Sequence, residues 1–192
     1  MGAFSKRLHR KTDKALRKGE ENSVRNVQKV NRALRHRETV ELIKLHQDLN
    51  RTLKLTTALV LFAAKEAYGY GERRLTAMLE KMNLTAQCYK AKLVSIDDIR
   101  RAIFDETGYR VLSSDDVREG VEELERLHAG CTDRIQAFAF IALRDLYGFG
   151  KKRLSEFHQV CALFCKKLME GEMTMGNILR CLEKTGIQIT AM

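Results

Sequence analysis

The stretch Ala67-Tyr68-Gly69-Tyr70-Gly71-Glu72-Arg73-Arg74-Leu75 returns 79 residues later as Leu146-Tyr147-Gly148-Phe149-Gly150-Lys151-Lys152-Arg153-Leu154. A recurrence of this kind is the mark of a duplicated module. The register holds upstream, where Leu59-Val60-Leu61-Phe62-Ala63-Ala64 lies over Phe138-Ala139-Phe140-Ile141-Ala142-Leu143. It holds downstream too, where Ile99 meets Ile178 and Ile103 meets Leu182. After one single-residue shift, Thr107-Gly108-Tyr109-Arg110-Val111 matches Thr185-Gly186-Ile187-Gln188-Ile189, so each copy covers roughly 55 residues. Each copy reads as an apolar helix, a G-aromatic-G turn, a second amphipathic helix and a short third helix. The third helix starts at Ser95-Ile96-Asp97-Asp98 in one copy and at Thr174-Met175-Gly176-Asn177 in the other, where a side-chain oxygen can accept from free N–H groups. It stops at Gly108 and Gly186, residues suited to the left-handed conformation that ends a helix.

Between the copies, Ser113-Ser114-Asp115-Asp116 opens a further capped helix running to Leu127, with Val117, Val121, Leu124 and Leu127 on one face. Nothing there has the composition of a flexible linker. From Asn22 to Tyr68 there is neither glycine nor proline, and Leu42, Leu45, Leu49, Thr52 and Leu59 form a heptad-like stripe. That predicts a long helix, whole or broken once, which packs into the repeats or pairs with another subunit. The chain has no proline at all, which removes the commonest helix breaker. The expected fold is all-α: a basic helical arm over 1–37, then two pseudo-symmetric helical repeats with G-aromatic-G hairpins, 38–112 and 113–192, in one compact domain.

Charge separates the arm from the rest. The whole chain of 192 residues carries a formal +10, from 35 Lys and Arg against 25 Asp and Glu. Residues 1–54 hold 15 bases and 6 acids, whereas the other 138 residues are nearly balanced, at 20 against 19. Lys6, Arg7, Arg10, Lys11, Lys14, Arg17 and Lys18 recur every three or four residues. Gly19 interrupts, and Arg25, Lys29, Arg32, Arg35 and Arg37 continue the stripe. Val24, Val27, Val30 and Leu34 give this second segment an apolar face, while Phe4, Leu8, Ala15 and Leu16 give the first only a thin one, which suits a segment that orders on binding. Twelve bases against three acids over residues 5–37 is more one-sided than a surface of i,i+4 salt bridges needs. The stripe therefore reads either as a solvated helix face or as a contact for nucleic acid or another polyanion.

The G-aromatic-G turn between two helices resembles the hairpin of the helix-hairpin-helix DNA-binding motif. That resemblance implies an apolar anchor in the turn, glycines that admit a phosphate, and N–H groups at the next helix's start that favour an anion. It points to Gly148, Gly150, Lys151, Lys152 and Arg153 as phosphate contacts. Arg73 and Arg74 supply charge in the first copy, but Glu72 stands where the second has Lys151, making the first hairpin the weaker candidate. Leu75 and Leu154 depart from the motif, which usually places a small residue there. A tight αα-turn whose aromatic, Tyr70 or Phe149, plugs the core accounts for the same residues.

The pattern FxALRDLYGFGxKRLxxF, with a Thr-Gly-ended helix some 30 residues on, is similar to small helical proteins of phages, prophages and mobile elements of Gram-positive bacteria. The resemblance covers the repeats and not the arm. Some small proteins from those genetic neighbourhoods inhibit CRISPR nucleases, so the resemblance implies an anti-CRISPR role as an alternative.

Reaction chemistry is not spelled out. His158, Cys161 and Cys165 share a helix face and Cys181 lies on the next helix, so a zinc site can be drawn. Their counterparts in the first copy are Leu79, Met82, Ala86 and Ala102, all apolar, which assigns these positions to a core face instead. Asp97-Asp98 and Asp115-Asp116 are explained by capping. No Ser/His/Asp order, P-loop or dinucleotide fingerprint is present. Five cysteines without CxxC spacing fit free thiols in a reducing cytosol. A charged N-terminus without an apolar segment gives no secretory signal, and 31% charge with mean hydropathy −0.34 argues against a membrane protein. The expectation is a cytoplasmic, non-enzymatic protein without cofactor or metal. Its partner is nucleic acid, DNA before RNA, or a host nuclease that it inhibits; a third reading is an assembly protein that homodimerises through the 22–68 helix.

Overall fold

The computed structural model describes residues 3–111 and 123–189, and in the first helix it describes side chains only at Lys29, Arg32, Arg35 and from Thr39 onward. All regular structure among them is helical. In chain order the helices are α1 (Ala3–Tyr68), α2 (Glu72–Lys90), α3 (Ile96–Thr107), α4 (Glu123–Tyr147), α5 (Lys151–Met169) and α6 (Met175–Lys184). The chain divides into two compact units, residues 1–47 and residues 48–192.

Two departures from the sequence reading stand out. α1 passes through Gly19, where the stripe is interrupted in the sequence, while residues 22–68 are whole, one of the two forms expected of that segment. A single glycine costs a helix only about 1 kcal/mol relative to alanine, and no proline is there to force an end. The joining segment is also not a helix of its own up to Leu127: Leu124 and Leu127 belong to α4, which runs on to Tyr147. Its start at Ser113, with Val117 and Val121, lies outside the described residues.

The second unit is built around two helical stretches, one in α1 and one in α4, that are apolar on nearly every side. Thr57 to Ala64 of α1 is buried throughout, and so are Ala137 to Phe140, Ala142 and Leu143 of α4. A helix without a polar face has to be surrounded. The surrounding helices are amphipathic: α2 buries Leu75, Met78, Met82 and Ala86, α3 buries Ile99 and Ile103, α5 buries Leu154 and Phe157, and α6 buries Ile178 and Leu182. α2 and α3 both pack on α4. Polar pins accompany that packing. Lys81 reaches Asp145 at 2.7 Å, and Arg144 donates to the Ala102 carbonyl at 2.9 Å while pairing with Asp145 at 2.6 Å. Burial works against the Asp145 carboxylate, but the hydrogen bonds from Lys81 and Arg144 outweigh it and hold its pKa below the usual value.

The third helices start as their sequences require. Ser95 and Asp98 form a reciprocal capping box on α3, and the Thr174 hydroxyl accepts from the Asn177 N–H on α6. Gly108 closes α3 in the left-handed conformation at φ +67°. One residue is out of place in this respect. Lys92 holds φ +57° where the sequence-matched residue is Gly171, at φ +75°. A side chain in that region costs roughly 1–2 kcal/mol, part of which glycine returns through unfolded-state entropy. Lys92→Gly should therefore stabilise the protein by about 0.5–1 kcal/mol in a denaturant melt, whereas Gly171→Lys should destabilise it.

Candidate nucleic-acid interface

Each hairpin is a left-handed glycine followed by an aromatic and an extended glycine. Gly69 and Gly148 lie at φ +63° and φ +62° and end α1 and α4 by donating to the carbonyls of Lys65 and Arg144. Gly71 and Gly150 are the extended N-caps of α2 and α5, with no side chain capping either helix. Tyr70 and Phe149 between the glycines are buried, at 5% and 3% exposure. The aromatic therefore plugs the core, as the simpler reading of the turn requires.

What the sequence did not disclose is that the two hairpins interlock. The Tyr68 hydroxyl donates to the Arg153 carbonyl at 3.1 Å, and the matched Tyr147 hydroxyl donates to the Arg74 carbonyl at 2.7 Å. Ring pairs join them across the junction, Tyr68 with Phe149 at 4.9 Å and Tyr70 with Tyr147 at 4.8 Å. Arg74 lies over the Tyr70 ring and Arg153 over the Phe149 ring, at 5.4 and 5.5 Å. The amino-terminal ends of two 19-residue helices thus come to one place with Arg73, Arg74, Lys151, Lys152 and Arg153, all exposed. Open space lies over Gly148 and Gly150, where an added Cβ would meet nothing within 4 Å. Such an end can accept an anion through backbone N–H groups and adjacent cations.

Glu72, the acid in the first hairpin, lies against Gly186, two residues past the end of α6. A Cβ on Gly186 would come within 2.6 Å of its side chain. This acid is what makes Arg73 and Arg74 the weaker candidates in the sequence. The reciprocal Tyr147 bond, which anchors the Arg74 backbone, had a visible signal in the matched tyrosines before both left-handed glycines.

The arm residues are distributed differently. Lys29, Arg32 and Arg35 are exposed on α1, three residues apart. Lys6, Arg7, Arg10, Lys11, Lys14, Arg17, Lys18, Arg25 and Arg37 are placed on the same helix by its backbone alone. On the His158, Cys161, Cys165 and Cys181 face, Cys161 and Cys181 pack part-buried against the core, as the core-face reading expects, His158 is part-buried, and Cys165 departs from it. Met82 and Ala86 are buried, whereas Cys161 is half-buried and Cys165 exposed, because α5 meets α1 and α4 across an open pocket. Among the described residues no three or more His, Cys, Asp or Glu side chains are grouped to hold a metal, and no helix is long and apolar enough to cross a membrane.

Burial sets the ionisation of the hairpin phenols. It pushes Tyr68 up to about 12 and raises Tyr70 and Tyr147 as well. A phenol whose folded pKa lies above its unfolded value stabilises the fold below pH 10 and loses that contribution as pH rises toward the folded pKa. In an ultraviolet titration, Tyr68 should ionise late, and Tyr68→Phe should remove one late-titrating phenol and flatten the loss of stability above pH 10. Comparison with protein-family models, curated proteins and solved structures finds no match to this chain.

Proposed function

We propose that this is a non-enzymatic, cytoplasmic protein that binds nucleic acid through backbone phosphates, using the basic arm and, separately, the paired hairpins. The observation that carries the reading is the paired hairpin itself: two uncapped helix starts and five exposed bases around one aromatic junction. Twelve bases in the arm supply the long-range attraction. Contacts of this kind position a protein on the phosphate backbone without reading sequence.

The test is binding of the nuclease-treated protein to labelled duplex DNA, single-stranded DNA and RNA at about 50 and 200 mM salt, where six to ten neutralised phosphates imply roughly a 10³ to 10⁵ loss of affinity. Duplex DNA should bind more tightly than RNA. Converting Lys151, Lys152 and Arg153 to glutamine should reduce the log–log salt slope by about 3 and leave the fold intact. Absence of binding at the lower salt defeats the reading.

The exposure of Lys29, Arg32 and Arg35 also suits a second reading, in which the arm enters or imitates a nucleic-acid channel of a host nuclease, as the resemblance to mobile-element proteins implies. That reading requires saturable binding to one nuclease with no nucleic acid present. Assembly through α1 requires a mass that rises with protein concentration.

A further inference from the structure

α5 leaves a pocket of about 480 Å³ where it meets α1 and α4. Its lining includes Leu59, Phe157 and Cys161, with Thr56, Thr132, Gln136 and His158 among its hydrogen-bonding groups. The size lies within the range of small-molecule sites, and a mostly apolar lining with a few polar groups is their usual composition. The two charged residues of the lining, Lys166 and Glu170, have opposite sign and pair with each other at 3.7 Å. A pocket so lined penalises an ionised ligand, which would lose its water without gaining a counter-charge.

His158 gives the pocket its direction. Its Nδ1 is held by the Tyr109 hydroxyl at 2.7 Å. Burial pushes the Tyr109 phenol up to about 12 and holds the His158 imidazole below its usual value, so a protonated phenol meets a neutral ring. The phenol is the better donor and the bare ring nitrogen the better acceptor, which leaves the ring proton on Nε2. Leu79, at the matched position, has no such group.

We propose that the α1/α4/α5 pocket is a binding site for a small, uncharged, mainly apolar molecule carrying a carbonyl or similar acceptor, with His158 Nε2–H as the donor that orients it. This site is separate from the phosphate-binding surface and does not depend on it.

The probe is prodan, a neutral naphthalene ketone with one carbonyl acceptor, titrated into the full chain and followed by its emission. One saturable site per chain with blue-shifted emission is expected. Cys165→Trp and Ala162→Trp each fill the pocket from an exposed helix position and should weaken binding at least about tenfold. His158→Leu, which installs the residue of the matched position, should weaken it about threefold to tenfold, the usual worth of one hydrogen bond. Bound prodan should also slow maleimide labelling of Cys165 and leave Cys88, on α2, unaffected. No saturable binding, or binding unchanged in both tryptophan variants, overturns the proposal. Tighter binding of the anionic dye anilinonaphthalene sulfonate overturns the assignment of an uncharged ligand. A concentration-dependent dimer that either tryptophan abolishes would make this face a contact between copies and overturn it equally.

Discussion

Replacing the twelve bases between Lys6 and Arg37 by glutamine should lower affinity for duplex DNA at about 50 mM salt by roughly three orders of magnitude or more, while the second unit keeps its melting behaviour. Each phosphate contact releases close to one condensed counterion, so affinity falls with the number of contacts and with salt by the same cause. Glutamine is nearly as good a helix former as lysine and arginine, so α1 should stay helical and the loss can be charged to electrostatics. The salt slope should drop to what the five hairpin bases alone sustain, about −4 to −5. Fluorescence anisotropy over a salt series measures both quantities. A loss below about tenfold would return the stripe to the solvated helix face that its spacing also allows.

Phe149→Ala should be the most damaging single substitution in the hairpins, at about 3–5 kcal/mol. The ring is 3% exposed and touches Tyr68 and Tyr147 on opposite sides of the junction, with Arg153 stacked over it. Removing it leaves a cavity between the two turns and loosens the reciprocal tyrosine bonds. A small domain has only about 5–15 kcal/mol in total, so urea denaturation should show a clear fall in midpoint. Phe149→Tyr copies the aromatic of the first hairpin at Tyr70 and should cost far less. If Phe149→Ala melts like the unaltered chain, the turn does not draw its stability from the aromatic plug.

Much of the local structure is written in short stretches of the chain. The capping box of Ser95 and Asp98, the cap at Thr174, the left-handed Gly69, Gly108 and Gly148, and the buried Tyr70 and Phe149 follow from signals a few residues long. Such signals act through neighbouring backbone groups, so they can be read without knowing what packs on them. The all-helical class and the concentration of charge in the arm are legible for the same reason. Gly19 misled because a glycine weakens a helix locally, and neighbouring turns without proline can carry the helix across it.

The pairing of elements is another matter. That Tyr68 bonds Arg153 and Tyr147 bonds Arg74 depends on where α1, α2, α4 and α5 come to rest, across separations of 85 and 73 residues. Glu72 made Arg73 and Arg74 look like weak candidates in the sequence, yet the interlocked turns bring their backbone beside the second hairpin. Likewise the sequence established that His158, Cys161 and Cys165 share a face. Only the tertiary structure decided that Met82 and Ala86 of α2 are buried while the matched Cys165 of α5 borders an open pocket. A helix's own pattern states which side is apolar, and the choice of what covers that side is made by the shapes and polar pins of all its neighbours together.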